Sequence, residues 1–340
     1  MTNQERVIAS FNHQQPDRTP YAIGFTQKAA AAMTARYGDS FYGLIDNAVH
    51  GVAAKAGPKD TWLSDTLWQD EFGVQWDRSI DRDIGNVCNC VIPERNLDGL
   101  EMPDPTAPDK FVGMAEACAA GRAAGRFVQF GIGFSLFERA WTMRGMENLF
   151  MDMVEAPDFV DELLDAICDY NVALVEQAVT YDIDAIHFGD DWGSQRGLLM
   201  GPRLWERFLK PRLARMYGAG KRQSSAGDPG KFVTIHSCGM VQELFPQLIE
   251  IGLDCFNPFQ PEVMDPYEMK RLHGDKLSFW GGISTQKLLP YGTPDEVRAE
   301  ARRMMEEVGK DGGLILAPAH GIPGDAKPEN IMALIETVNE

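Results

Sequence analysis

The chain is organised around one short stretch, Val233-Thr234-Ile235-His236-Ser237-Cys238-Gly239. Its β-branched apolar start predicts a buried strand, and Gly239 ends the strand pattern. Imidazole and thiolate are ligands that zinc prefers, and alternate strand residues share one face, so His236 and Cys238 are candidates to bind one ion. An isolated His-x-Cys pair is more often a core histidine beside an ordinary buried cysteine. Two ligands do not make a site, so further ligands must be sought downstream.

Strand patterns alternate with helix patterns along the chain. Predicted strands cover 21–25, 61–64, 126–130, 184–188, 232–235, 255–257, 278–280 and 314–316. Predicted helices include 43–54 and a long helical region at 136–180 that breaks near Gly145 and Pro157. Strands that alternate with helices predict a parallel sheet, and eight such units favour a closed (β/α)8 TIM barrel. We expect a single α/β domain over residues 1–340, with an insertion near residues 65–108.

Composition and charge restrict the class of partner. The 340 residues are 44% hydrophobic, which is typical of a globular chain with a sizeable core. A net charge of -18 argues against nucleic acid or an anionic membrane as the main partner, because both would be repelled. No apolar run is long enough for a membrane span and the first residues are not signal-like, so a cytoplasmic location is expected. The six cysteines predict reduced thiols rather than a disulfide framework.

The unusual side chains all follow predicted strands, where a (β/α)8 barrel carries its active site. They are Asp190, Asp191, His236, Cys238, Trp280, Gly281 and His320. The two aspartates are candidates for a catalytic proton carrier or a partner that orients a ligand histidine. A helix cap in a solvated turn fits them equally well. Trp280, Gly281, Gln195 and Arg196 are candidate substrate-binding residues, although a surface arginine such as Arg196 needs no such role.

These residues resemble a known family. The similarity is carried by Glu5-Arg6-Val7, Pro16-Asp17-Arg18-Thr19-Pro20, Gly189-Asp190-Asp191-Trp192-Gly193-Ser194-Gln195, His236-Ser237-Cys238-Gly239, Phe279-Trp280-Gly281-Gly282-Ile283 and Pro328-Glu329-Asn330-Ile331. Together they resemble the uroporphyrinogen decarboxylase superfamily, which also contains zinc-dependent methyltransferases that work with corrinoid proteins. The resemblance implies a (β/α)8 barrel with its site at the carboxyl ends of the strands.

Two features point to the methyltransferase branch. True decarboxylases resemble one another in an arginine-rich N-terminal signature, whereas residues 19–28 of this chain contain a single cation, Lys28. The methyltransferase branch is marked by His-x-Cys after one strand and a second cysteine after the last. His236 and Cys238 match the first part, and His320 stands where those relatives have the second cysteine. The resemblance therefore implies a metal set of His236, Cys238 and His320.

Three protein ligands with one open position are typical of catalytic zinc, which activates a thiol or polarises an oxygen. The expected function is thus zinc-dependent methyl transfer between a small ether or thiol substrate and a corrinoid. The D-x-H-x-x-G motif of corrinoid-binding modules is absent from this sequence, so the corrinoid is expected on a partner protein. A metal-independent decarboxylase and a non-catalytic barrel remain the alternatives.

Overall fold

A computed structural model describes residues 1–222 and 230–340. Its main feature is a 7-stranded sheet in which all adjacent strands are parallel and follow one another in chain order. The strands are β1 Val49–Val52, β2 Phe127–Ile132, β3 Ala185–Gly189, β4 Phe232–His236, β5 Cys255–Phe259, β6 Ser278–Ile283 and β7 Leu314–Pro318. The predicted α/β class with a parallel sheet is confirmed.

The predicted first strand, 21–25, is not a regular strand. It makes two isolated parallel bridges, Tyr21 with Leu316 and Phe25 with Ile322. Between them the side chain of Asn47 takes over the pairing, because its amide accepts from the backbone N of Ile23 at 2.7 Å and donates to its carbonyl at 3.0 Å. A side-chain amide thus replaces part of a β-ladder here. Among the described residues, the main sheet therefore has seven regular strands rather than the eight predicted.

The second predicted strand, 61–64, was assigned to the wrong sheet. Residues 49–52, predicted as part of a helix at 43–54, form β1 and pair with β2 in parallel. Thr61–Trp62 instead pairs antiparallel with Leu67–Gln69, which continues through Gln75–Asp77 to Asn86–Val87. This 4-stranded sheet is the expected insertion, and it begins slightly earlier than residue 65.

Helices connect the strands of the main sheet. They are α1 Asn3–Phe11, α2 Gln27–Tyr37, α3 Met114–Ala123, α4 Phe137–Arg144, α5 Met146–Glu155, α6 Pro157–Ala178, α7 Gly201–Leu204, α8 Lys210–Lys221, α9 Phe245–Glu250, α10 Pro266–His273, α11 Leu288–Tyr291, α12 Pro294–Arg303 and α13 Pro328–Val338. The predicted breaks in the long helical region are confirmed, since Gly145 has a φ of 90° and Pro157 occupies the first turn of α6. Among the described residues, none of these helices combines the length and apolarity needed to cross a bilayer.

Helix α1 packs across the amino-terminal end of the strands. The ring of Phe11 contacts those of Phe127 and Phe232 edge-on, with centroids 5.5 and 5.3 Å apart. Val7 and Cys255 lie fully buried in the same apolar cluster, so Cys255 is a core residue. Each such buried apolar side chain contributes roughly 1.5–3 kcal/mol. Apolar side chains fill this end of the sheet, so an active site is expected at the carboxyl ends of the strands.

Candidate metal centre

His236, Cys238 and His320 converge at the carboxyl edge of the sheet. His236 is the last residue of β4, Cys238 follows two positions later, and His320 lies two residues beyond the end of β7. The candidate ligand atoms of the three residues all lie within 4.8 Å of one another. Cys238 Sγ is 3.3 Å from His236 Nε2, and the two imidazole rings meet edge-on with centroids 5.6 Å apart. Residues 82 positions apart in the chain are thus brought to one point by the order of the strands.

The donor set fits zinc. Tetrahedral zinc with ordinary Zn–N and Zn–S bonds places its ligand atoms about 3.3–3.6 Å apart. The separation of 3.3 Å between Cys238 and His236 already has this value, and the limit of 4.8 Å for the set requires only a small side-chain movement of His320. His320 is exposed, so its side chain has room to make that movement. Two imidazoles and one thiolate leave one coordination position open.

Asn257, which was not among the predicted site residues, fixes the orientation of the His236 ring. Its amide Nδ2 donates to the carbonyl of Trp280 at 3.0 Å, which turns Oδ1 toward His236 Nδ1 at 2.6 Å. An amide oxygen only accepts, so Nδ1 carries the proton and Nε2 presents a lone pair toward Cys238. No sequence pattern marks this residue, because the contact depends on the pairing of β4 with β5 that places His236 beside Asn257.

Asn257→Leu is expected to lower the zinc affinity about 10–100-fold, because it removes the acceptor that fixes the tautomer and angle of His236. The affinity is measured by competition with a chromophoric chelator. Asn257→Asp is the matched control: it retains an oxygen acceptor for Nδ1 and is expected to keep zinc. Wild-type affinity in Asn257→Leu would show that the ring does not depend on this contact.

Asp190 is fully buried and holds the start of α4. Its carboxylate accepts hydrogen bonds from the backbone N atoms of Leu136, Phe137 and Glu138 and from the indole of Trp192, at 2.6–3.2 Å. Burial raises the pKa of Asp190 to about 6, and these four hydrogen bonds oppose the shift. Because the Asp190 carboxylate accepts all four hydrogen bonds, it caps the start of α4 and positions the loop after β3.

Asp191 borders the metal centre, and the charge of Glu138 acts on its thiol. Asp191 Oδ1 accepts from the backbone N of Cys238 at 2.7 Å and lies 3.9 Å from His236 Nε2. Burial, then the charges of Asp191 and Asp190, raises the pKa of Glu138 to about 9. Burial, followed by Asp191 and Glu138, also raises the pKa of the Cys238 thiol. Glu138 was not among the predicted site residues, because its sequence neighbourhood predicts only an ordinary helical position.

Two glycines allow the loops after β3 and β4 to meet. A Cβ atom on Gly193 would lie 2.7 Å from the carbonyl O of Cys238, and one on Gly239 would lie 2.4 Å from the carbonyl C of Gly193. Gly239 also has a φ of 88°, which side chains rarely tolerate. The loops are tied by a hydrogen bond from Met240 N to Ser194 O at 2.8 Å. This close approach sets the position of Cys238 beside Asp191.

The predicted substrate-binding residues are not all in one place. Gln195 lines a pocket of about 420 Å³ that also contains Cys238 and His320. Arg196 is exposed at the turn between the short strands Gly193–Ser194 and Gly197–Leu198, and it does not line that pocket. The other walls come from residues that were not predicted: Gln260, Thr285, Gln286, Ala319, Gly321, Pro323 and Asp325.

Trp280 and Gly281 lie lower, in β6. The Trp280 ring packs against the apolar cluster at the floor of the sheet and lies 5.7 Å from the ring of His187. Gly281 is buried against β5, where a Cβ atom would approach Phe259 N to 2.5 Å. Neither residue lines the pocket beside His320. The packing of Trp280 and Gly281 fixes β6. The backbone carbonyl of Trp280 in turn accepts the hydrogen bond from Asn257.

Known proteins share this chain's sequence and fold. The family model "Uroporphyrinogen decarboxylase (URO-D)" matches residues 71–340. A uroporphyrinogen decarboxylase of Methylococcus capsulatus is 25% identical over 256 residues, 72% of this chain and 68% of that protein. A methylcobamide:CoM methyltransferase of Methanosarcina barkeri is 27% identical over 188 residues, 55% of this chain and 50% of that protein.

A solved methyltransferase from Methanosarcina mazei superimposes with a TM-score of 0.72 at 18% identity, covering 100% of this chain and 98% of the other. At this identity the likeness establishes the fold alone. The alignment with the M. barkeri methyltransferase spans only half of that relative. The family match, in contrast, covers most of the chain and includes all three candidate ligands. The chain belongs to the uroporphyrinogen decarboxylase (URO-D) family.

Proposed function

We propose that this URO-D protein is a zinc-dependent methyltransferase that moves a methyl group between a small ether or thiol substrate and the corrinoid of a partner protein. The observation that carries the proposal is the convergence of His236, Cys238 and His320, with ligand atoms within 4.8 Å, beside an open pocket. A relative whose name specifies a methylcobamide, a methylated corrinoid, supports the corrinoid part. The proposal includes a closed single-domain barrel, in which 21–25 joins β7 to β1.

Each side chain has a distinct part in this proposal. When bound by His236, Cys238 and His320, zinc supplies a Lewis acid that lowers the pKa of a thiol or polarises an ether oxygen. Asp191 Oδ1, 3.9 Å from His236 Nε2, is placed to accept the proton that a thiol substrate releases. Asp190 holds α4 and thereby Glu138 in place, which is a positioning role. Gln195 and the other pocket residues contact the substrate.

The decarboxylase alternative is supported by the similarity to the M. capsulatus enzyme. Uroporphyrinogen carries eight carboxylates, which need cationic partners. Among the described residues, none that lines the pocket is lysine or arginine. Arg139, a neighbour of Glu138, is already paired with Asp70 at 2.7 Å. The hydrogen bonds that orient His236 between Asn257 and Cys238 favour a metal-binding site over a non-catalytic barrel.

Spectroscopy with free corrinoids tests the proposed function. Zinc-loaded protein is expected to accelerate demethylation of methylcobalamin by a small thiol, or methylation of cob(I)alamin by a small ether, followed by the corrinoid absorbance. Cys238→Ala, which removes the thiolate, is expected to abolish the acceleration. We also expect no conversion of uroporphyrinogen to coproporphyrinogen. Acceleration in neither direction, or clear decarboxylation, would reverse the assignment.

A further inference from the structure

The inner face of the main sheet is the face that carries the apolar cluster at the amino-terminal end of the strands. Phe127 of β2 and Ala185 of β3 belong to that cluster, and Val49 of β1 packs against it. Because alternate residues of a strand share a face, the residues two positions later also lie on the inner face, nearer the metal centre. They are Gly51, Gln129 and His187.

Part of the inner face above this cluster carries no side chains. Gly24 shares the face with Gly51, because Ala22, two residues before it, packs against the same cluster. Both glycines are exposed, and a Cβ atom on either would meet no described atom within 4 Å beyond its chain neighbours. Barrel interiors are normally filled by layers of bulky side chains. The inner face therefore borders an open space, here called the lumen, which is lined by Gly24, Gly51, Gln129, His187 and Trp280.

Gln129 is an unpartnered polar side chain of this lumen. It is only 6% exposed, and its Oε1 atom is buried without a hydrogen-bond partner in the described part of the chain. Its neighbours in register are Gly51 on β1 and Ala185 on β3, and neither has a polar side chain to offer. A buried amide oxygen without a partner is unfavourable, so Gln129 favours a ligand that donates a hydrogen bond to it.

His187 and Trp280 line the lumen closer to the metal centre, and both are partly exposed. His187 Nδ1 is 2.7 Å from Thr234 Oγ1, which leaves Nε2 available to a ligand. Thr234, the register partner of His187, lies two residues before His236, a distance of about 6–7 Å along the strand. The Trp280 ring, 5.7 Å from the ring of His187, adds a flat apolar surface. A space of this depth suits one six-membered ring.

From this lumen we infer that the substrate carries a flat, ring-sized body beyond its reacting sulfur or oxygen, and that Gln129 is the specificity-determining residue that accepts a hydrogen bond from this body. The ring lies between Trp280 and the bare backbone at Gly24 and Gly51. The inference rests on the proposed function, in which zinc holds the reacting atom and a closed barrel surrounds the lumen. The pocket beside His320 then contacts the reacting end of the substrate.

Filling the lumen tests the inference. Gly51→Phe is expected to fold, because a Cβ atom has open space there and Gly51 does not have a positive φ. Binding of benzyl mercaptan and of ethanethiol to the zinc-loaded protein is measured by calorimetry and corrected for the pKa of each thiol. The wild type is expected to prefer benzyl mercaptan at least roughly tenfold, because the lumen buries its ring. Gly51→Phe is expected to lose this preference and to retain zinc and ethanethiol binding.

Gly218→Phe is the matched control. Gly218 is exposed on α8, and a Cβ atom there also meets no described atom within 4 Å, so the variant should keep the preference of the wild type. Equal binding of the two thiols by the wild type would overturn the inference. A preference that survives in Gly51→Phe, or that disappears equally in Gly218→Phe, would overturn it as well.

A hydroxyl on the ring tests the part assigned to Gln129. 4-(Mercaptomethyl)phenol differs from benzyl mercaptan only in a hydroxyl opposite the thiol arm, and the wild type is expected to bind it about fivefold more tightly. Gln129→Met, which has similar length but no amide, is expected to lose this difference and to keep the preference for a ring. The same difference in Gln129→Met, or none in the wild type, would contradict the inference. Failure of the wild type to bind zinc or ethanethiol would instead overturn the proposed function itself.

Discussion

His320→Ala is expected to lose zinc, with an affinity at least about 100-fold below that of the wild type, because two protein ligands hold the ion poorly. His320 is exposed and contributes no core packing, so its truncation should leave the fold intact. Zinc per chain is measured by elemental analysis after dialysis against a chelator, with circular dichroism to verify folding. The variant retains His236 and Cys238, which lie 3.3 Å apart in the unaltered chain, so the experiment isolates the third ligand.

His320→Cys is the matched variant. Thiolate also binds zinc well, so we expect zinc to be retained. A second thiolate makes the site softer and less positive, which should shift its preference toward sulfur-bearing substrates. Unchanged zinc content in His320→Ala would contradict the three-ligand centre and would leave His320 as a substrate-binding or acid/base residue.

Asp190→Ala is expected to destabilise the protein by about 3–5 kcal/mol, because four buried donors lose their acceptor. The free energy of unfolding is measured by chemical denaturation of metal-free protein at neutral pH. A helix start that loses its cap should also release Glu138, which shares α4 with these donors. A loss below about 1 kcal/mol would show that the loop after β3 does not depend on this carboxylate.

The pH dependence gives a second check on Asp190. Its pKa of about 6 in the folded protein is above the ordinary value of 3.8, so the folded state holds the proton longer than the unfolded chain. The contribution to stability is therefore greatest below pH 4 and falls as pH rises to about 6, by roughly 3 kcal/mol. Asp190→Asn removes this proton, so its unfolding free energy should lack that decline. An identical decline in the variant would assign it to other groups.

The regular half of the fold was predictable from local pattern alone. The apolar runs at 232–235, 278–280 and 314–316 each became a strand, and Pro328 stands in the first turn of α13. The first two strand assignments, 21–25 and 61–64, were not correct. Val-His-Gly-Val at 49–52 is too short and too glycine-containing to suggest a strand, and it becomes one only through pairing with β2. Tertiary pairing, not propensity, decides such segments.

The candidate site likewise contains residues that the sequence pattern predicts and residues that it does not. His236 and Cys238 could be predicted because two ligands stand two positions apart, and His320 because it follows the last strand. Asn257, Glu138, Gln260 and Gln286 were missed, since they reach the site from strand–helix units other than those of His236 and His320. Trp280 was chosen at the end of the predicted strand 278–280 and Gly281 in the loop after it, but β6 extends to Ile283 and places both within the sheet. Because β6 ends three residues later than predicted, these two residues do not line the pocket.

X-ray absorption at the zinc edge, combined with elemental analysis of the wild-type protein, tests the central claim most directly. The account predicts one zinc per chain, with two nitrogen ligands and one sulfur ligand from the protein, as expected for His236, Cys238 and His320. The sulfur contribution should disappear in Cys238→Ser, which distinguishes this centre from zinc bound elsewhere. Protein that contains no zinc after preparation in zinc-replete medium, or zinc without a sulfur ligand, would contradict the account.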